Sequence, residues 1–481
     1  MSNAKVLSSI VFLASVPSPG SVHAQGLFDL DLDVVRITAS GERYTPRQSV
    51  TPGRGPRHTS DYDVTITWDP AGWRAREEWV MHTVYPADTV LEFTMTYDET
   101  KGIKEGRDNY AATGPSTTPI GAARIGANFK DLWLTNPIIL GAHAEAVLPA
   151  SPISIDGIPL ERVEFWAHNT QWTMIINPGT GLPAEVITTE ADPHNAQAAN
   201  RVVFSSWRDV AGVPFPFQVE QYVNGKLMRR EIRSSIEVNP RRANIDVPRG
   251  LEDMDADLRA WGWARSHLLL ARAGLGGPQD TPQISNVVFN EVGPDIYQVA
   301  GGTHHGLAII GPDGIAMVDA PWFPERSVVI LEQMLERWPN LPMRYIILTH
   351  HHIDHTGGFR SFVEAGATLV AHGDAVPFFE EALKLAGHPN TRAVSVDDSA
   401  ALEGIGRRIE VFDVPNSHSD AAVTVYVPDT KLLFNADLFS PGRDRQFPMW
   451  MNGLLNSVRY HGIEVERHVG GHGSGYGPAP E

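Results

Sequence analysis

The stretch Tyr345-Ile346-Ile347-Leu348-Thr349-His350-His351-His352-Ile353-Asp354-His355-Thr356-Gly357-Gly358 constrains this chain more than any other. Its apolar start, residues 345–348, predicts a buried strand. Four histidines and an aspartate follow, then two glycines. Strand, then polar side chains, then a glycine turn is how an α/β architecture sets chemistry at the carboxyl end of a strand. His350 and His352 stand two apart, so extended backbone points them the same way. Asp354 and His355 follow on the predicted turn, aimed at a second point. Two histidines on one point and an Asp-His pair on another is the pattern a two-metal centre needs. A surface histidine run would not be expected directly behind an apolar strand with this spacing. His351 alternates with its neighbours and is predicted to face away from the site.

His350-x-His352-x-Asp354-His355 resembles the signature of the metallo-β-lactamase superfamily, and the other positions that family uses occur in order. His418 follows the apolar residues 409–414. Asp437 closes the run Leu432-Leu433-Phe434-Asn435-Ala436, and His472 stands in Gly470-Gly471-His472-Gly473. The resemblance spans roughly Asn290 to Tyr476. It implies an αββα sandwich with a dinuclear zinc site at one edge. His350, His352 and His418 would bind the first zinc, Asp354, His355 and His472 the second, and Asp437 would bridge. Imidazole and carboxylate ligands suit zinc, and the same set accepts iron or manganese. Two such metals would hold a bridging hydroxide near neutral pH, with Asp354 as the catalytic residue that orients it and moves a proton. The resemblance therefore implies hydrolysis of a small-molecule ester, lactone, thioester or amide. Asp437 at the bridging position favours glyoxalase-like, lactonase and arylsulfatase-like relatives over a β-lactamase. An iron-dependent dioxygenase of the same fold is the competing class.

The whole chain has 481 residues, 42% of them hydrophobic, which is enough for two or three cores. Asp and Glu total 57 against 39 Lys and Arg, a formal charge of −18. That balance disfavours nucleic acid, whose binding runs on basic patches. There are no cysteines, so disulfides, thiolate ligands and a lipidated-cysteine anchor are excluded. Lys5, the apolar residues 6–16 and Val22-His23-Ala24 predict a cleaved signal peptide over residues 1–24. No other apolar run approaches the roughly 20 residues of a membrane helix. A periplasmic or secreted protein with no membrane span is expected. Nothing in the sequence sets an oligomeric state.

Residues 25–250 predict a mainly antiparallel β domain, so the fold class is α+β. Strands are expected over residues 33–39, 62–68, 75–84, 90–97, 162–168, 172–177, 201–207, 217–222 and 227–237. Residues 48–60 read as loop and Gly212-Val213-Pro214-Phe215-Pro216 as a break. Asn224-Gly225 predicts a hairpin, and residues 129–146 a helix. A curved sheet with a helix or two against it is the expected shape, acting as scaffold or lid. A concave face that gathers an apolar or polymeric substrate is the weaker expectation. His58, His82, His143, His168 and His194 have no ligand spacing. Residues 251–283 predict an amphipathic helix and linker, with the boundary near residue 280 and the catalytic domain over 284–481. There, His304 and His305 are expected beside the pocket, and Asp319 as an acid that orients a metal-bound histidine. Arg443 or Arg445 is a candidate for a substrate carboxylate, and Tyr460 or His461 for an oxyanion.

Overall fold

The computed structural model describes residues 27–274, 280, 282–442, 446–473 and 476–477. The expected signal peptide, Arg443 and Arg445 lie outside them. The alternating segments of the N-terminal half join one antiparallel sheet. Its order is Ser116–Pro119, Gly102–Gly106, Thr89–Asp98, Arg74–Thr83, Arg57–Asp69, Val35–Thr45, Lys226–Val238, Val213–Val223, Ala196–Val210, Leu182–Asp192, Thr170–Asn177, Ile158–Ala167 and Ala146–Val147. Asn224 and Gly225 both take positive φ, 49° and 75°, as the hairpin turn requires. The expected break is confined to the turn at Gly212, and residues 213–216 are already strand. Pairing with Lys226–Val238 begins only at Gln218, so one edge carries no ladder at Pro214 and Pro216, and a strand tolerates proline there.

Helix Ala122–Thr135 is buried along its whole length against this sheet. It starts seven residues before the expected helix, and Pro137–Ala142 follows as a second one. The N-cap of the first is Gly121, with no side-chain cap and no acidic residue in the first turn, so no start signal marks it in the sequence. Trp68 and Trp133 meet edge to face at 4.8 Å between sheet and helix. The inner face of the sheet is therefore occupied by the protein's own helix, which leaves the gathering of a polymeric substrate without a surface. The single helix expected after residue 250 is two, Ala256–Ala264 and Ser266–Ala271. A Cβ on Gly126 would lie 2.1 Å from the Arg259 carbonyl, and one on Gly262 2.0 Å from that of Ala123. Glycine at both positions lets these helices cross in backbone contact.

The charges buried with the helix are paired. Arg229 grips Asp131 through two bonds of 2.8 Å. Lys130 lies 3.2 Å from Glu190. His267 reaches Glu190 with Nδ1 at 2.7 Å and Asp192 with Nε2 at 3.1 Å.

The C-terminal half holds two sheets. In the first, Val288–Gly293, Ile296–Ala300, Gly306–Gly311 and Gly314–Val318 run antiparallel; Met343–Ile347, Thr368–His372 and Ala393–Val396 continue in parallel. The second is Ser399–Leu402, Ile409–Asp413, Val423–Val427, Leu432–Asn435, Arg467–Gly470 and Tyr476–Gly477. Leu307, Ile309, Val318 and Ile347 meet Val411, Val425 and Phe434 between them. Helices Pro324–Arg337, Phe359–Glu364 and Val376–Leu385 cover the outside of the first sheet, and Pro448–Tyr460 that of the second. The two halves share a core in which Ala123, Ala127, Leu268 and Leu269 pack on Trp322, Phe323 and Ile353. No helix among the described residues is long and apolar enough to cross a membrane.

Removing one partner of a buried ion pair leaves an uncompensated charge. Arg229→Met is therefore expected to lower the unfolding free energy by about 3–5 kcal/mol in urea denaturation, and a loss well under that would remove the Asp131 pair from the list of struts. Burial alone would lower the His267 pKa, but its bonds to Asp192 and Glu190 outweigh burial and raise it. A raised folded pKa gives stability that is complete below the unfolded value of about 6.5 and fades as pH climbs through the folded one. The stability gap between wild type and His267→Gln should therefore be widest on the acid side and shrink with rising pH. A gap that widens toward alkaline pH would contradict the assignment.

Candidate metal centre

The predicted site residues gather at one edge of the two sheets, because each follows the end of a strand. His350 and His352 come after Met343–Ile347, His418 after Ile409–Asp413, Asp437 after Leu432–Asn435, and His472 after Arg467–Gly470. Asp354 and His355 sit on a single helical turn, Ile353–Thr356, where an open turn was expected. One donor atom each from His350, His352, His418 and Asp437 lie within 4.8 Å of one another, and the same holds for His304, His355 and His472. Asp437 joins the two groups: its Oδ2 is 2.9 Å from His418 Nε2 and 3.3 Å from His355 Nε2, and its Oδ1 is 2.6 Å from His472 Nε2.

The outward ring nitrogens have acceptors. His350 Nδ1–H donates to Thr349 Oγ1 (3.2 Å), which donates to Asp319 Oδ2 (2.8 Å). His352 Nε2–H donates to the Ser49 carbonyl at 2.9 Å. His472 Nδ1–H donates to that of Thr303 at 2.9 Å. His418 Nδ1–H donates to the Tyr85 oxygen at 3.4 Å. Asp319 serves Thr349 and lies 3.6 Å from His355 Nδ1, so it orients the centre chiefly through the threonine. His351, as expected, points elsewhere, held between Ser49 Oγ and Ser419 Oγ.

With the outer nitrogens engaged, the inner ones carry the lone pairs. His352 Nδ1 and both His355 nitrogens are buried without a hydrogen-bond partner among the described residues. His350 Nε2 and His418 Nε2 face each other at 3.2 Å. Converging lone pairs with a carboxylate among them fit a divalent cation and the imidazole–carboxylate chemistry of zinc. The electrostatics agree at His418, His352 and the two carboxylates, while at His355 burial is outweighed by Asp437 and Asp319, which hold the pKa above its ordinary value. Burial drops the His418 pKa to about 4 against the pull of Asp437, and burial beside His350 and His418 holds His352 well below its ordinary value. Burial would raise Asp437, but His355, His418 and His472 keep it well below the usual carboxylate range. Burial would raise Asp354 too, and Arg272 and His304 outweigh it.

Sequence reasoning missed the part of the site that the N-terminal half supplies. The loop between Val35–Thr45 and Arg57–Asp69 enters the centre. Gln48 Nε2 donates to Asp354 Oδ1 at 2.6 Å, and its Oε1 accepts from the Tyr85 hydroxyl at 3.1 Å. Arg57 donates to the His418 carbonyl at 3.0 Å. Arg272, from the segment expected to be linker, donates to Asp354 Oδ2 at 3.1 Å. His194, read as an ordinary histidine, bonds Thr356 Oγ1 at 2.8 Å. These partners lie up to 361 residues apart in sequence. No local signal marks Gln48 or Arg272. A cleft of about 450 Å³ opens on the centre, lined by Gln48, Tyr85, Tyr110, Arg272, Phe447 and Trp450 with His304 and His305. Tyr460 is 77% exposed and His461 stacks on Phe412 at 4.5 Å, so neither lines the cleft. The helix Pro448–Tyr460 turns Trp450, not its C-terminal end, toward the site.

Residues 301–463 match the model of the metallo-beta-lactamase superfamily. That match places residues 301–463 in the metallo-β-lactamase superfamily. It is 24% identical to the 2,4-dinitroanisole O-demethylase subunit alpha of Nocardioides sp. over 37% of this chain and 55% of that one. It is 37% identical to a hydroxyacylglutathione hydrolase of Chromohalobacter salexigens over 28% of this chain and 47% of that one. The chain spans about half the length of these curated relatives. A solved sec-alkylsulfatase from Pseudomonas sp. overlaps 40% of this chain and 39% of its own, at 18% identity and a TM-score of 0.32.

Loss of a partner that orients a ligand costs about 10- to 100-fold in metal affinity. Tyr85→Phe takes the acceptor from His418, and Gln48→Ala takes a donor from Asp354. Each variant should bind zinc at least about 10-fold more weakly, measured by competition with a chromophoric chelator. Unchanged affinity in both would make the N-terminal half a bystander.

Proposed function

We propose that the chain is an exported dinuclear zinc hydrolase acting on an ester, lactone, thioester or amide of a small molecule. The observation that carries this reading is the pairing of the imidazoles: outer nitrogens bonded, inner nitrogens converging on Asp437. His350, His352 and His418 would hold one metal, His355 and His472 with Asp354 the other, and Asp437 would bridge. When bound, such metals supply a nucleophile from water near neutral pH and polarise the bond attacked. Around them the protein's own groups orient and exclude. Asp354, anchored by Gln48 and Arg272, accepts a proton at Oδ1 or Oδ2. Trp450 and Phe447, stacked at 4.1 Å, form an apolar wall beside His418. The cleft volume falls within the range of small-molecule sites, about 300–1,000 Å³. Relatives named as hydroxyacylglutathione hydrolase and (R)-specific secondary-alkylsulfatase share the matched stretch, which supports a hydrolase. Export rests on the sequence of residues 1–24.

The test is elemental analysis of protein purified without added metal, joined to a panel of lactones, thioesters, aryl esters, nitrocefin, a phosphodiester and a sulfate ester. About two zinc per chain is expected, with hydrolysis of at least one carbonyl substrate. His352→Ala and Asp437→Ala should each lower that turnover by 100-fold or more, as expected when nucleophile activation is lost. One iron per chain with oxygen uptake would move the protein to a dioxygenase, and nitrocefin as the preferred substrate would make it a β-lactamase.

A further inference from the structure

Arg43, in the strand Val35–Thr45, lines a cavity of about 50 Å³ between the N-terminal sheet and the helix Ala122–Thr135. It is 5% exposed, and its Nη1–H donates to the Leu270 carbonyl at 3.0 Å. The edge formed by Nε and Nη2 is unused. Nε is buried without a partner, and Nη2 makes no hydrogen bond among the described residues. No carboxylate among the described residues pairs with this arginine. The rings of Tyr62 and Trp79 lie against the guanidinium at 5.2 and 4.8 Å, which gives packing but no counter-charge. An arginine keeps its charge when buried, and a buried cation without a counter-charge is costly. Burial and the charge of Arg229 press its pKa down, as for a cation short of negative charge around it.

The acids around it are engaged elsewhere. Asp131 is gripped by Arg229, and Glu231 by Arg233 at 3.1 Å and the Tyr62 hydroxyl at 2.9 Å. Asp280 pairs with Arg124, and Asp108 with Lys104. Glu77 shares the cavity wall, but it accepts from Trp79 Nε1–H at 2.8 Å and from the Tyr97 hydroxyl. Burial raises its pKa, so it holds a proton more readily than an exposed glutamate and tolerates an anion nearby. Asn128 lines the same space, and its Nδ2–H faces the Met95 sulfur at 3.7 Å, a weak acceptor that a stronger one would displace. Much of the remaining wall is apolar, with Met81, Phe93, Met95 and Leu132. Two parallel N–H groups on one arginine edge match the two oxygens of a carboxylate. At roughly 10–15 Å³ per water, the cavity has room for about four non-hydrogen atoms.

We propose that this cavity is a binding site for a small carboxylate of acetate size, seated on Nε and Nη2 of Arg43 with its alkyl end toward the apolar wall. Arg272 lines both this cavity and the cleft over the metal centre, so the site lies one side chain behind that centre. The full-length, metal-loaded protein is titrated with sodium acetate at constant ionic strength by calorimetry, with sodium chloride as the control. Wild-type crystals grown without acetate are then soaked in it. Wild type should bind acetate, and the soaked crystals should show its carboxylate on Arg43. Arg43→Met should weaken binding at least about 10-fold, as expected for the loss of a charge-assisted hydrogen-bonded pair. Acetate bound by Arg43→Met as tightly as by wild type sits elsewhere, on the metals for instance, and overturns the proposal. Chloride bound as tightly as acetate overturns the assignment to a carboxylate. Water alone at Arg43 in the soaked crystals also overturns it, and that result holds even where Arg43→Met does not fold.

Discussion

An imidazole binds a metal well only when its other nitrogen is held, and this requirement links the two halves of the chain. Four of the histidines hand their outer N–H to an oxygen. Two of those oxygens, the Ser49 carbonyl and the Tyr85 hydroxyl, come from loops that join strands of the N-terminal sheet. Gln48 then closes a path from Tyr85 to Asp354, running from the first histidine group to the second entirely through N-terminal side chains. The sheet is thus part of the coordination geometry, and its rigidity matters at the centre.

That rigidity comes from the buried helix. With Ala122–Thr135 seated on the sheet, Lys130, Asp131 and Arg124 must each meet an opposite charge, and they do, at Glu190, Arg229 and Asp280. Such a network has few alternative arrangements, since any slip strands a charge in a dry interior. Glu190 and Asp192 anchor it to His267, four residues before the helix end at Ala271 that precedes Arg272. The position of Arg272 over Trp322, and through it that of Asp354, is inherited from charge pairs between the N-terminal sheet and its helices.

How much of this the sequence discloses follows from distance along the chain. The cluster at residues 350–355, and the strand-end positions of His418, Asp437 and His472, show as local patterns because one strand or turn sets each direction. Boundaries of half-exposed elements come out within a few residues, as for the strand expected over 90–97 and found as Thr89–Asp98. The start of Ala122–Thr135 does not, because its N-cap is a glycine with no capping side chain and its first turn carries no acidic residue. Gln48, Tyr85 and Arg272 carry no local mark either. A glutamine in a proline- and glycine-rich loop is unremarkable until the fold brings it against Asp354.

His304 lies between these cases. Its placement beside the pocket follows from the hairpin that the resemblance implies, but its closeness to His355 and His472 does not. That depends on the Thr303 turn joining the second sheet, where His305 N–H donates to the Gly471 carbonyl at 2.8 Å and His305 Nε2–H to that of Gly473 at 2.9 Å. These bonds fix the segment 303–305 against 471–473, so His304 and His472 move as one unit. An imidazole pair clamped by its own backbone is pre-organised. This clamp meets the helical turn Ile353–Thr356, which carries Asp354 and His355, from the opposite sheet, so the geometry of the second position depends on both at once.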